Sequence, residues 1–340
     1  MGFQVSQSQL DEIFRLWEQD YTVYAPKRFP SGGAFSDTDC IRYGPVKSIK
    51  EVVFDRQSQY SFKEVLTPIS QTLFYFTEEQ VREAEPQKKG AIIFLRSCDL
   101  HAVKRLDDLY LNNGAEDYYY CRMRERLKVV LMGCKSSFEN CFCVSMGTNF
   151  SSEYDMSIDP QNENWLIDCR EAAWCNALAK LGALEQEVRP AHVTENSVRL
   201  YIPESLDHRV DSSKMWAEYD SRCINCGRCN FVCPTCTCFT MQDLFFNENG
   251  RVGERRRVWA SCMVDGFTDV AGGGSYRQKN GQRMRFKVMH KILDHTVRFG
   301  YTMCVGCGRC DSICPEYISF SNCVSKLGAA MEEVTQYDGK

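Results

Sequence analysis

Cys223-Ile-Asn-Cys226-Gly-Arg-Cys229-Asn-Phe-Val-Cys233-Pro234 returns later in the chain as Cys304-Val-Gly-Cys307-Gly-Arg-Cys310-Asp-Ser-Ile-Cys314-Pro315. Both runs read C-x2-C-x2-C-x3-C-P, with Gly-Arg before the third Cys and Pro after the fourth. This is the ligand spacing of a two-cluster iron–sulfur protein. Three thiolates at i, i+3 and i+6 wrap one cubane on a tight loop. The fourth Cys, followed by Pro, leaves that loop for the other cluster. The spacing therefore predicts two [4Fe–4S] clusters with exchanged fourth ligands. Cys223, Cys226, Cys229 and Cys314 hold the first. Cys304, Cys307, Cys310 and Cys233 hold the second. Gly227 and Gly308 let the backbone approach the inorganic core and take positive φ. Zinc ribbons also use CxxC pairs, but four ligands complete a zinc site. Zinc gives no reason for the third step or the closing Cys-Pro.

The chain has 340 residues, 44% hydrophobic and 25% charged, with a net charge of −4. That length suits two domains, the composition is that of a globular protein, and the acidic balance argues against nucleic acid as a partner. The 20 Cys are the outlier. The start MGFQVSQSQLDEIFRLW has neither the basic nor the apolar region of a signal peptide. A thiol-rich chain without export is read as metal-binding in a reducing cytoplasm. No apolar run approaches the roughly 20 residues that span a bilayer.

Outward from the cysteine runs, residues 1–205 read as an α/β domain and 206–340 as an α-helical, ferredoxin-type domain. Gln9 to Gln19 carries Leu10, Ile13, Phe14 and Trp17 at helical spacing. Ala91–Leu95 and Lys128–Met132 are short continuous apolar runs, as expected of buried strands. Asp99 to Leu111 reads as a helix capped by Asp99, and Arg170 to Leu184 as another. Val198–Ile202 alternates like a strand. Strands separated by helices predict a mostly parallel sheet. Pro203 to Ser213 reads as a linker. The two runs start 81 residues apart, Cys223 to Cys304. A compact ferredoxin separates them by far less, so the intervening stretch is an insertion, with a Gly-rich turn at 271–275 and a basic helix from Gln282 to His295.

A second thiol group lies in the first domain. Cys98 and Cys134 follow the two apolar strands, and Cys141 and Cys143 follow in the next loop. Residues at the C-terminal ends of neighbouring strands converge on one crevice. Four thiolates there have the count for a third [4Fe–4S] cluster. The alternative is that they are small buried hydrophobes. Cys236, Cys238 and Cys262 either pack near a cluster, donate to its sulfurs or bind another metal. Cys40, Cys121, Cys169, Cys175 and Cys323 read as structural. Gly272, Gly273 and Gly274 match no phosphate-binding motif. Arg255–Arg257 with Arg283, Arg285, Lys287, Lys291 and Arg298 form a basic zone. It is a solvated face, a docking site for an acidic partner, or positive charge set against anionic clusters. No Ser-His-Asp set or carboxylate pair offers a catalytic site.

Taken together, Arg96-Ser-Cys-Asp-Leu-His101, the block from Gly133-Cys134 through Cys-Phe-Cys-Val-Ser-Met-Gly-Thr148, Cys233-Pro-Thr-Cys-Thr-Cys238 and both cluster runs resemble the A subunit of anaerobic sulfite reductase. The wider family includes the beta subunits of cytosolic sulfhydrogenases. The resemblance covers the whole chain. It implies an electron-transfer subunit of an NADH-dependent complex in anaerobic respiration. A flavin-bearing B subunit would supply electrons, and a sirohaem C subunit would reduce sulfite to sulfide. The alternative is the equivalent iron–sulfur subunit of a hydrogenase or sulfhydrogenase. The resemblance also favours a third cluster at Cys98, Cys134, Cys141 and Cys143, with His101 as a substitute ligand.

Overall fold

A computed structural model describes residues 1–33 and 37–338. In chain order its strands are β1 (Gly2–Ser6), β2 (Tyr21–Phe29), β3 (Cys40–Pro45), β4 (Ser70–Phe76), β5 (Val81–Glu83), β6 (Gly90–Leu95), β7 (Leu127–Met132), β8 (Met156–Gln161), β9 (Asn164–Cys169), β10 (Leu184–Glu185), β11 (Phe239–Phe245), β12 (Gly253–Trp259), β13 (Asp269–Val270) and β14 (Gly274–Ser275). The larger sheet has the order β10-β1-β9-β8-β7-β6-β2-β3. Its centre, β2-β6-β7-β8, is parallel. Its flanks are antiparallel.

The continuous apolar runs explain that centre. All of β6 is buried, as both faces of a parallel sheet must be. Alternation then divides its side chains. Ile92 and Phe94 join Val130 and Met132 under the helix Gln7–Asp20, packed through Leu10, Ile13, Phe14 and Trp17. Ile93 and Leu95 join Val129 and Leu131 on the opposite face, under the helix Ser97–Tyr110. Each fully buried Leu, Ile or Phe contributes roughly 1.5–3 kcal/mol. The first helix opens with a capping box between Ser6 and Gln9, which satisfies two backbone N–H groups.

Several local expectations change. The helix after β6 starts at Ser97 and has Arg96 as its N-cap. Asp99 lies inside the first turn and is used elsewhere. The helix expected over 170–184 is shorter, Ala172–Lys180. Val198–Ile202 forms no strand, and the expected linker contains the 3-10 turn His208–Ser212 with Val210 buried.

The C-terminal part is not purely helical. The insertion between the cysteine runs contributes β11 and β12, which join β4 and β5 in a second sheet of order β11-β12-β4-β5. Strand β12 pairs antiparallel with β4, so chain from both halves is shared in one sheet. The expected basic helix is Asn280–Met289, continued by a π turn at His290–Asp294 and by His295–Phe299. Met284, Val288 and Ile292 on this element pack with Trp216, Phe320 and Leu327 into a third core, which surrounds the cysteine loops.

Candidate iron–sulfur centres

Two cavities open between the cysteine loops. The outer one is lined by Cys223, Cys226, Cys229, Cys310 and Cys314. The inner one is lined by Cys229, Cys233, Cys304, Cys307 and Cys310. The closing Cys of each run stands in the cavity of the other run. Cys229 and Cys310 line both cavities and so mark the wall between them. Met263, Met284, Ile318 and Phe320 make the outer lining apolar, and Phe142, Val305 and Phe320 do the same within. Among the described residues, no three His, Cys, Asp or Glu side chains close on one ion position. The donor set is therefore eight sulfurs around two chambers, which fits two cubanes rather than zinc bound at about 2.3 Å from each sulfur.

The two loops repeat the same backbone rhythm. Asn225 and Gly227 have φ of 59° and 70°, and their counterparts Gly306 and Gly308 have 64° and 73°. Left-handed residues in a turn can bring neighbouring N–H groups together into concavities that favour anions. Gly306 N–H donates to Cys304 Sγ at 3.5 Å and Ile318 N–H to Cys314 Sγ at 3.3 Å. The second loop is also held from outside. Phe142 N–H donates to Gly306 O at 2.8 Å, and the Thr148 hydroxyl to Val305 O at 2.7 Å. The first loop lies nearer solvent: Cys226 is exposed, whereas Cys307 is buried.

Three lysines surround these sulfurs, and each is 4% exposed or less. Lys287 lines both cavities and Lys291 the inner one. Lys291 Nζ lies 3.5 Å from Cys233 Sγ and 3.0 Å from the Thr235 hydroxyl. Lys63 Nζ donates to the carbonyls of Cys236 and Asn230 at 2.9 and 3.2 Å and sits 4.2 Å from the Trp259 ring. Burial pulls the Lys63 ammonium below its ordinary range. Burial pulls Lys287 the same way, but the Cys229 and Cys310 sulfurs outweigh it and hold Lys287 well above that range. None of the three pairs with a carboxylate among the described residues. A buried cation requires a counter-charge, and the sulfurs are the anionic groups beside it.

Three arginines of the basic zone are neutralised locally. Arg255 pairs with Asp243 at 2.7 Å, Arg257 with Asp117, and Arg283 with Asp265. The Arg of the second Gly-Arg step has another task. Arg309 is fully buried and makes a bidentate pair with Asp99, 2.6 and 2.8 Å, while also donating to Ser58 O at 3.0 Å. This ion pair ties the second cysteine loop to the first turn after β6. Sequence reasoning missed Asp99 in this role because its partner is 210 residues away.

The thiols of the α/β half meet the second loop. Cys98 and Cys134 follow β6 and β7, and Cys141 Sγ lies 3.6 Å from Cys307 O. Burial pushes Cys141 up to about 12 and raises Cys98, Cys134 and Cys143. His101 is engaged elsewhere, with Nε2 2.8 Å from Phe150 O. Cys262 Sγ receives the Asn230 amide at 3.1 Å. Cys262 in turn donates to Cys238, which holds the Cys238 thiol down at about 6. Cys236 bonds Cys233. Cys169 and Cys175, for which the sequence offered no partner, lie in mutual contact at 2.7 Å between sulfurs. The Gly-rich turn joins β13 to β14 as a small hairpin.

Residues 222–318 match the family described as a 4Fe-4S dicluster domain. Sulfhydrogenase 2 subunit beta of Pyrococcus furiosus is 29% identical over 323 residues, which cover 90% of this chain and 92% of that protein. No solved structure matches the chain. No helix among the described residues is long and apolar enough to cross a membrane. The chain carries two [4Fe–4S] clusters in its dicluster domain, and its similarity to a sulfhydrogenase beta subunit extends from there through the α/β half.

Proposed function

We propose that this chain is the iron–sulfur electron-transfer subunit of a cytoplasmic multi-subunit oxidoreductase. The observation that carries the reading is the pair of adjoining thiol-lined cavities, each drawing on both cysteine runs. In this reading Cys223, Cys226, Cys229 and Cys314 ligate one cluster, and Cys304, Cys307, Cys310 and Cys233 the other. Bound clusters each accept and release one electron. The chain's own residues set the conditions for that. The thiolates fix the clusters. The apolar lining from Met263, Phe142 and Phe320 limits access of water. Lys287 and Lys291 balance negative charge, and Cys226 brings the outer site to the surface. Partner subunits supply the reductant and transform the substrate.

Two complexes suit such a subunit. Similarity to Sulfhydrogenase 2 subunit beta favours a hydrogenase or sulfhydrogenase. The motif resemblance favours a sulfite reductase with a flavin, NADH-oxidising B subunit and a sirohaem C subunit. Affinity purification of the native complex under anaerobic conditions separates them. Nickel without sirohaem assigns the first, and sirohaem with sulfite-dependent NADH oxidation assigns the second. Recovery of the clustered chain with no redox partner would contradict the subunit reading.

A further inference from the structure

The four thiols after β6 and β7 are arranged differently from cysteines that merely fill a core. Cys98, Cys143 and Cys307 share one buried cluster with Cys134 packed against it, and Cys141 Sγ lies 3.6 Å from Cys307 O. They come from three separate segments: the start of the helix Ser97–Tyr110, the end of β7 and the loop that follows. A cysteine packed as a small hydrophobe makes no demand for hydrogen-bond donors. Three of these sulfurs have one nonetheless. Arg96 Nη1 lies 3.9 Å from Cys134 Sγ, Gln57 Nε2 3.8 Å from Cys141 Sγ, and Asn196 Nδ2 3.7 Å from Cys143 Sγ. Asn196 is fixed in that orientation, because its Oδ1 accepts from Val144 N–H at 2.8 Å. Cys98 occupies the first turn of a 14-residue helix. Three of the four sulfurs therefore have an N–H donor beside them, as metal-bound thiolates commonly do.

We infer that Cys98, Cys134, Cys141 and Cys143 ligate a third [4Fe–4S] cluster, set beside the inner cavity at the C-terminal ends of β6 and β7. Its place follows from two contacts: Cys141 Sγ at 3.6 Å from Cys307 O, and Phe142, which lines the inner cavity between two of the four thiols. This site extends the proposed electron-transfer role into the α/β half. It gives the shared β12–β4 sheet and the Arg309–Asp99 pair a purpose, since both hold the two halves in register.

The test uses the full chain, reconstituted anaerobically, and its Cys134→Ala/Cys143→Ala variant. Iron and acid-labile sulfide are counted, and reduced samples are examined by electron paramagnetic resonance. At four irons per cubane, wild type should hold about twelve and the variant about eight, with the two dicluster signals retained. About eight irons in both proteins overturns the third cluster and leaves the two-cluster reading standing. Eight irons with one zinc overturns it as well. Wild type far below eight overturns both. Asn196→Asp guards against a variant that fails to fold, because it keeps every thiol and the overall shape. It should retain about twelve irons and disfavour reduction of one cluster about tenfold, a shift of about 59 mV for one electron. If all potentials stay unchanged in this variant, the inference fails.

Discussion

Lys287 and Lys291 lie four residues apart, so they share a helix face, and that face points at sulfur instead of water. The sequence leaves them open among a solvated face, a docking site and positive charge set against anionic clusters, because local pattern does not reveal that the facing element is a cysteine loop. Their placement makes a graded prediction. Lys287→Met should disfavour reduction of both dicluster centres by about tenfold, or about 59 mV, since Lys287 lines both cavities. Lys291→Met should shift only the inner centre by that much. Potentiometric titration followed by electron paramagnetic resonance distinguishes the two patterns, and equal shifts from both variants would contradict the assignment. Asp99 shows the same limit of local reading. Its position at a helix start suggests a cap, while in the fold it neutralises Arg309. Removing one partner of a buried ion pair costs about 3–5 kcal/mol. Asp99→Asn should lose about that much in anaerobic urea unfolding of the cluster-loaded protein.

At the scale of elements, the cysteine loops were legible because their ligand spacing is local and their conformation repeats. What surrounds each loop was not. A Cβ on Gly308 would stand 2.2 Å from Asn140 O, a backbone atom, whereas one on Gly227 would stand 2.6 Å from Val264 Cγ2, the end of a side chain that can rotate away. Both residues have positive φ, so both substitutions cost the left-handed penalty of roughly 1–2 kcal/mol. Only Gly308→Ala must also displace backbone. It should lose most of the inner cluster, while Gly227→Ala should retain most of the outer one. Iron content and the relative intensity of the two reduced signals test this. The insertion was misread for a related reason. Strand β11 is exposed along its whole length and carries Phe239, Met241, Leu244 and Phe245 on both faces, so it lacks the alternation that marks a half-buried strand. The partner that organises the hairpin, β4, comes from the other half of the sequence. The buried β6 and β7 were clear because continuous apolar runs of strand length belong in a covered parallel sheet.

At the scale of the whole molecule, two cysteine runs far apart in sequence build one pair of chambers, and the α/β half closes around the inner one through Phe142, Thr148 and Asp99. The account's central claim is the exchange of fourth ligands between the runs. Four single variants, Cys223→Ser, Cys314→Ser, Cys304→Ser and Cys233→Ser, should be reduced anaerobically and compared by electron paramagnetic resonance. The account predicts that Cys314→Ser perturbs the same signal as Cys223→Ser, and Cys233→Ser the same signal as Cys304→Ser. Pairing of Cys233 with Cys223, and of Cys314 with Cys304, would contradict it.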